Sequence, residues 1–207
     1  MSERRNAAAA DASRPHEPED GAPTIVDVFV EVPRGSRNKY EYDDAIGRFR
    51  LDRMLFSAVH YPGDYGFIPD TLAEDGDHLD ALVVLSEPTF PGCLIPGRVI
   101  GVMHMVDEKG PDAKILTVPD RDPRWRHIEG LDDVPRHLKD EIRHFFSIYK
   151  DLEQKKAEVH GWGTRDDAID ELAASRERFE ASGAPPFNPD RQDADGSRRG
   201  TERGGMT

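Results

Sequence analysis

Across residues 24–119 the chain is a succession of short β-rich runs cut by turn residues, and nowhere in that span do apolar side chains recur at helical spacing. Residues 25–32 form the first run, which stops at Pro33 ahead of a turn at Arg34-Gly35-Ser36. Asn38-Lys39-Tyr40-Glu41-Tyr42 alternates like a strand, and residues 43–47 turn the chain into a further run at 48–53. Residues 61–69 hold too much Gly and Pro for a helix and read as a loop with a short strand. The apolar run 81–85 has the look of a buried strand, and two more follow at 98–107 and 113–119. Five or more short strands joined by turns, with no helices between them, predict a closed or nearly closed antiparallel barrel.

The last third changes period. Leu138, Ile142, Phe145, Tyr149 and Leu152 fall at steps of four and three, one apolar stripe on a helix opening near Val134-Pro135. A second helix starts at Thr164, a good N-cap with Asp166 and Asp167 in the first turn. Its stripe is Ile169, Leu172, the stem of Arg176 and Phe179, and it stops before Gly183. The class is therefore mostly β with C-terminal helices packed on the barrel, an α+β domain over residues 23–183. Residues 1–22 and 184–207, rich in Pro, Gly, Ala and charge without periodicity, read as a disordered N-terminal arm and C-terminal tail.

Composition narrows the function. A net charge of −13 argues against a surface that grips nucleic acid, which needs a basic face. Cys93 is the sole cysteine, so neither a disulfide framework nor a cysteine zinc site is available. No run is long and apolar enough to span a bilayer, and the first residues lack the pattern of a secretory signal. A soluble cytoplasmic protein is expected.

The chemistry concentrates in the turn that holds Asp75, Asp77 and Asp80 around Gly76, just before the run 81–85. Carboxylates that close repel one another unless something positive sits among them, and hard oxygen ligands suit Mg²⁺, Mn²⁺ or Ca²⁺. A second acidic turn carries Asp107 and Asp112, and Glu31 and Glu41 lie on early strands. Lys39, Arg53, Lys114 and Lys150 are spaced among them, with Tyr61, Tyr65 and Tyr149 as phenolic donors. Such a set is poor for a neutral sugar and suited to a phosphate compound held through several divalent ions.

The turn Asp75-Gly76-Asp77-His78-Leu79-Asp80 resembles the D-x-D-P-x-D signature of the family I soluble inorganic pyrophosphatases. Lys39-Tyr40-Glu41, Leu51-Asp52-Arg53, Tyr61-Pro62-x-x-Tyr65-Gly66, Asp107-Glu108-x-Gly110-x-Asp112-x-Lys114 and His144-Phe145-Phe146-x-x-Tyr149-Lys150-x-Leu152-Glu153 stand in that family's order and spacing. The resemblance implies an OB-type five-stranded barrel and hydrolysis of pyrophosphate to two orthophosphates by attack of a metal-bridged hydroxide. It implies Asp75, Asp80 and Asp112 for the tightest Mg²⁺, with Asp80 reaching a second ion, Asp107 and Asp112 a third, and Glu41 a fourth. Mn²⁺ or another divalent ion is the alternative. By the same resemblance Asp77 is the general base, and Lys39, Arg53, Tyr65, Lys114, Tyr149 and Lys150 grip the pyrophosphate. Glu31 and Tyr61 support the site, and the assembly is a homo-oligomer, a hexamer before a dimer.

One position departs. His78 stands where the signature has Pro, which loosens a turn that Pro would stiffen by fixing φ. The plain reading places His78 toward solvent, with the turn held by metal and neighbouring hydrogen bonds. A calcium-binding loop fails as a rival because Asp80 breaks the spacing and no helices flank the turn. An OB-fold nucleic-acid binder fails because carboxylates would line its groove.

Overall fold

The computed structural model describes residues 23–189; the N-terminal arm and the chain beyond Pro189 lie outside. In chain order the elements are β1 (Ile25–Val32), β2 (Asn38–Asp43), β3 (Arg48–Met54), β4 (Asp64–Ile68), β5 (Leu79–Val83), β6 (Leu94–Asp107), β7 (Gly110–Pro111), β8 (Lys114–Pro119), α1 (Arg136–Ile148), β9 (Glu158–Gly163) and α2 (Arg165–Ser182).

Five strands close into a ring in the order β1-β4-β5-β8-β6, with β6 returning to pair with β1. Closure and strand number match the expectation, but the ring is not wholly antiparallel: β5 and β8 run parallel, with Asp80 beside Lys114. A parallel pair needs a long crossover, and the connection through β6 supplies one. The sequence reading joined consecutive strands by turns and did not anticipate a pair across that connection. β6 also starts earlier than expected. Its first residues pair with β1, its middle with β8 and its end with β9, and its register slips between Val99 and Gly101. β9 was not expected at all: Glu158–Gly163 alternates too weakly to stand out, and only β6 makes it a strand.

The buried core has two parts. On one side Ile142, Phe145 and Phe146 from α1, with Tyr149 just past its end, pack with Tyr61, Tyr65, Leu82, Ile100, Met103 and Leu116. On the other, Ala168 and Leu172 of α2 meet Val28, Val30, Ala81, Val83, Val99 and Ile115. β5 is sandwiched, with Leu82 in one part of the core and Leu79, Ala81 and Val83 in the other, so apart from Asp80 at the cavity its residues are apolar on both faces. Thr164 caps α2 as expected: its hydroxyl accepts from Asp167 N while the Asp167 carboxylate accepts from Thr164 N. The buried line of α2 is Ala168, Leu172 and Ser175, turned from the expected Ile169 and Arg176 stripe. α1 ends at Ile148, so Leu152 sits in a following turn and is 63% exposed instead of closing the stripe.

Residues 184–189, expected to belong to a tail without a core, run back across the barrel, where the Phe187 ring meets Phe29, Tyr42, Phe67 and His78. No helix among the described residues is long and apolar enough to cross a membrane.

Candidate active site

A cavity of about 870 Å³ opens at one end of the ring, and all fourteen side chains singled out from the sequence line it. β1 brings Glu31, the β2–β3 hairpin Lys39, Glu41 and Arg53, and β4 Tyr65. Asp75 and Asp77 come from the turn before β5 and Asp80 from β5 itself. Asp107 ends β6, Asp112 follows β7 and Lys114 starts β8. Tyr149 and Lys150 stand at the end of α1, with Tyr61 beneath.

The parallel β5–β8 register builds the centre. Lys114, only 2% exposed, donates to Asp80 Oδ2 at 2.5 Å and to Asp112 Oδ1 at 2.6 Å, and the Tyr65 hydroxyl donates to the same Asp80 oxygen at 2.5 Å. Burial acts to strip the Lys114 charge, but Asp80 and Asp112 outweigh it and hold the ammonium well above the ordinary lysine value. Tyr65 and Tyr61 are pushed well up by burial, and Tyr149 is raised for the same first reason, so all three phenols stay protonated donors.

Around that centre several carboxylates are paired with a cation. Lys150 donates to Asp107 Oδ2 at 2.7 Å and Glu108 Oε2 at 3.1 Å, and Lys109 to Asp77 Oδ2 at 2.7 Å. Arg53 Nε donates to the buried Glu153 carboxylate at 2.7 Å, and its Nη1 donates to Asp52. Lys39 bonds Glu41. Burial works against ionised Asp107, yet Lys150 and the Lys109 amide leave it below the carboxylate range.

Others lack enough positive charge. Among the described residues Glu31 accepts only from Tyr42 N, at 2.7 Å, and burial, helped by Asp80 and Glu41, pushes it up to about 8. Burial, with Asp80 nearby, moves Asp112 up to about 6 against the pull of Lys114. Asp75 is also raised, by burial and by Asp77 and Asp80. Among the described residues no three acidic or histidine groups converge as a ready ligand set, because lysines hold the carboxylates. The donor set nonetheless fits hard divalent cations. It consists of carboxylate oxygens, several of them pushed toward protonation by burial and mutual repulsion that a cation would relieve.

His78 does not face solvent. Its ring stacks on Phe67, its Nδ1 donates to Thr71 O at 2.9 Å, and its Nε2 lies 3.6 Å from Asp44. Sequence reasoning gave no role to Asp52, Glu108 or Glu153, although each lay inside a quoted motif. Lys109, the partner of Asp77, was not singled out, and its place beside Asp107 in the second acidic turn was the available signal. Phe187 carried one faint sign, an aromatic residue in a polar tail.

The model of the family described as inorganic pyrophosphatase matches residues 28–180. The chain belongs to the family I inorganic pyrophosphatases. The inorganic pyrophosphatase of Methanosarcina acetivorans is 54% identical over 155 residues, 75% of this chain and 92% of that protein. That of Thermus thermophilus is 52% identical over 163 residues, 77% of this chain and 93% of its own length. The crystal structure of the Thermus thermophilus inorganic pyrophosphatase superposes with a TM-score of 0.75 at 50% identity, covering 78% of this chain and 95% of that one. The Helicobacter pylori inorganic pyrophosphatase structure gives 0.74 at 37% identity, covering 75% and 94%. Every candidate site residue falls inside the part that the inorganic pyrophosphatase model matches, whereas residues 184–189 fall outside it.

Proposed function

We propose that this chain hydrolyses inorganic pyrophosphate to two orthophosphates in a divalent-metal-dependent reaction, by direct attack of water on phosphorus with Asp77 as general base. One observation carries the reading: fourteen side chains from β1, the β2–β3 hairpin, β4, β5, two acidic turns, β8 and the end of α1 meet in a single cavity with cations and carboxylates interleaved. That arrangement suits a small, multiply charged anion accompanied by cations. Membership of the inorganic pyrophosphatase family supports the substrate.

Asp75, Asp80, Asp107, Asp112 and Glu41 would hold the ions, Mg²⁺ first and Mn²⁺ as the alternative, with Glu31 acting through water. When bound, divalent ions neutralise phosphate oxygens and acidify water. Lys39, Arg53, Lys114 and Lys150 bring fixed positive charge to the phosphoryl oxygens. Tyr65 and Tyr149, kept protonated by burial, donate hydrogen bonds. Asp77 has a side chain 67% exposed at the mouth and paired with the exposed head of Lys109, an ion pair weak enough to yield to a substrate water. The water's oxygen bonds phosphorus, its proton passes to Asp77, and the bridging oxygen leaves with the second orthophosphate.

We also infer a homo-oligomer, a hexamer before a dimer, working in the cytoplasm. Exposed Leu51, Met54, Phe56, Phe90 and Leu94 supply apolar surface for subunit contact. The experiment is phosphate release from pyrophosphate with Mg²⁺, beside Asp77→Asn. Turnover by the wild type and a loss of at least about tenfold in the variant are expected, since general-base help is worth roughly 10²–10⁴. Faster release from nucleoside triphosphates than from pyrophosphate would reassign the substrate. Inactivity with both Mg²⁺ and Mn²⁺ would overturn the reading.

A further inference from the structure

Beyond Gly183, which ends α2 in a left-handed conformation with φ of 67°, residues 184–189 double back over the first acidic turn. Two hydrogen bonds fix the segment on either side of its aromatic residue. Phe187 N donates to Asp70 Oδ1 at 2.7 Å, and the Tyr42 hydroxyl donates to Pro189 O at 2.9 Å. Between them the Phe187 ring stands edge-on to Phe29 at 4.9 Å, Tyr42 at 5.6 Å, Phe67 at 5.3 Å and His78 at 5.9 Å. His78 completes the seat by lying flat on Phe67, centroids 4.6 Å apart and planes within 11°.

His78 sits between Asp77 and Asp80, at the position where the acidic signature is broken. A proline there would fix its own φ; histidine leaves that freedom open, and packing has to remove it. The other side of the turn is already tied to α2, by Leu72 N to Ser175 O at 3.0 Å and Arg178 Nε to Leu72 O at 2.8 Å. Between these ties, among the described residues, the backbone of the tip holding Asp75 and Asp77 makes short local bonds, such as Ala73 N to Asp77 O at 2.8 Å, and its one side-chain tie to a distant element is the exposed Lys109–Asp77 pair. The segment lines the same cavity as Asp75 and Asp77 yet lies beyond the family match at residue 180.

We infer that residues 184–189 are a strap bracing the acidic turn, with Phe187 and His78 as positioning residues for the Asp75 and Asp77 carboxylates. The catalytic consequence rests on the function proposed above; the bracing itself does not. Phe187 supplies the wedge, His78 and Phe67 receive it, and Asp70 latches the backbone.

The test compares the full chain with Phe187→Ala, Phe187→Tyr, His78→Pro and a chain ending at Gly183. Amide hydrogen exchange is followed without substrate or metal. Exchange across residues 70–80 is expected to quicken about fivefold or more in Phe187→Ala and in the shortened chain, with Phe187→Tyr near wild type. His78→Pro should quicken exchange across residues 184–189, because the seat is gone. Under saturating pyrophosphate, kcat should fall roughly three- to tenfold in Phe187→Ala while KM stays within about twofold, since Lys114 and Lys150 stand on elements the strap does not touch. Unchanged exchange at 70–80 in both altered chains, or equal quickening along α2, would overturn the strap. Quickened exchange with unchanged kcat would overturn the positioning role. A wild type that turns over no pyrophosphate would sink the proposed reaction and leave exchange to decide the strap.

Discussion

Glu31 is the residue on which the ion-free protein is most exposed to pH. It is half-buried on β1, and the loss of water around it, reinforced by Asp80 and Glu41, carries its carboxyl from 4.5 to about 8. Between those values the folded state binds more protons than the unfolded chain, so stability is fullest below about 4.5 and drains as pH rises through about 8. The full effect is on the order of several kcal/mol. In chelator, the thermal midpoint should fall across that window, and Glu31→Gln, neutral throughout, should remove most of the fall. Mg²⁺ should flatten it in the wild type by supplying the missing charge. A Glu31→Gln profile as steep as the wild type would place the pH dependence elsewhere. Asp112 shares the direction but only to about 6, which leaves the upper part of the window to Glu31.

At the scale of elements, strand closure depends on close approach. A Cβ on Gly66 would lie 1.9 Å from Phe29 O and 3.0 Å from Glu31 N, so β4 can reach β1 only without a side chain there. Both obstacles are main-chain atoms, which no rotamer change relieves. Gly66→Ala should therefore cost about 3 kcal/mol or more, or abolish folding, as read by denaturant unfolding or soluble yield. A cost under about 1 kcal/mol would mean that the β1–β4 pair relaxes and that ring closure is less tight than it looks. The same scale explains what the sequence hid. β9 is a strand only because β6 offers it an edge, and the parallel β5–β8 pair exists only because a long connection brings two distant runs together.

For the whole molecule, the ring brings two acidic turns far apart in the chain to one mouth, on a protein whose net charge is −13. Ions bound there would hold β5 and the end of β6 together in the folded state only. The thermal midpoint should rise with Mg²⁺, by the equivalent of about 2–3 kcal/mol at a hundredfold excess over Kd. Asp80→Asn, on the strand that pairs with Lys114, should lose most of that rise, measured by thermal melts over a magnesium series. An undiminished rise in the variant would put the ions somewhere other than this mouth.

Local sequence was enough for the succession of strands up to residue 119, the two helices with the Thr164 cap, and the inventory of carboxylates, lysines and tyrosines that lines the cavity. Those features are written in local periodicity and in residue chemistry, which need no knowledge of distant partners. Tertiary structure decided which strands pair across a long connection, which lysine holds which aspartate, and where His78 and Phe187 lie. Each of those depends on a contact between segments remote in the chain, such as Phe187 against Phe29 or Lys114 against Asp80. The energy of such a contact belongs to the pair, and neither partner's local sequence carries it.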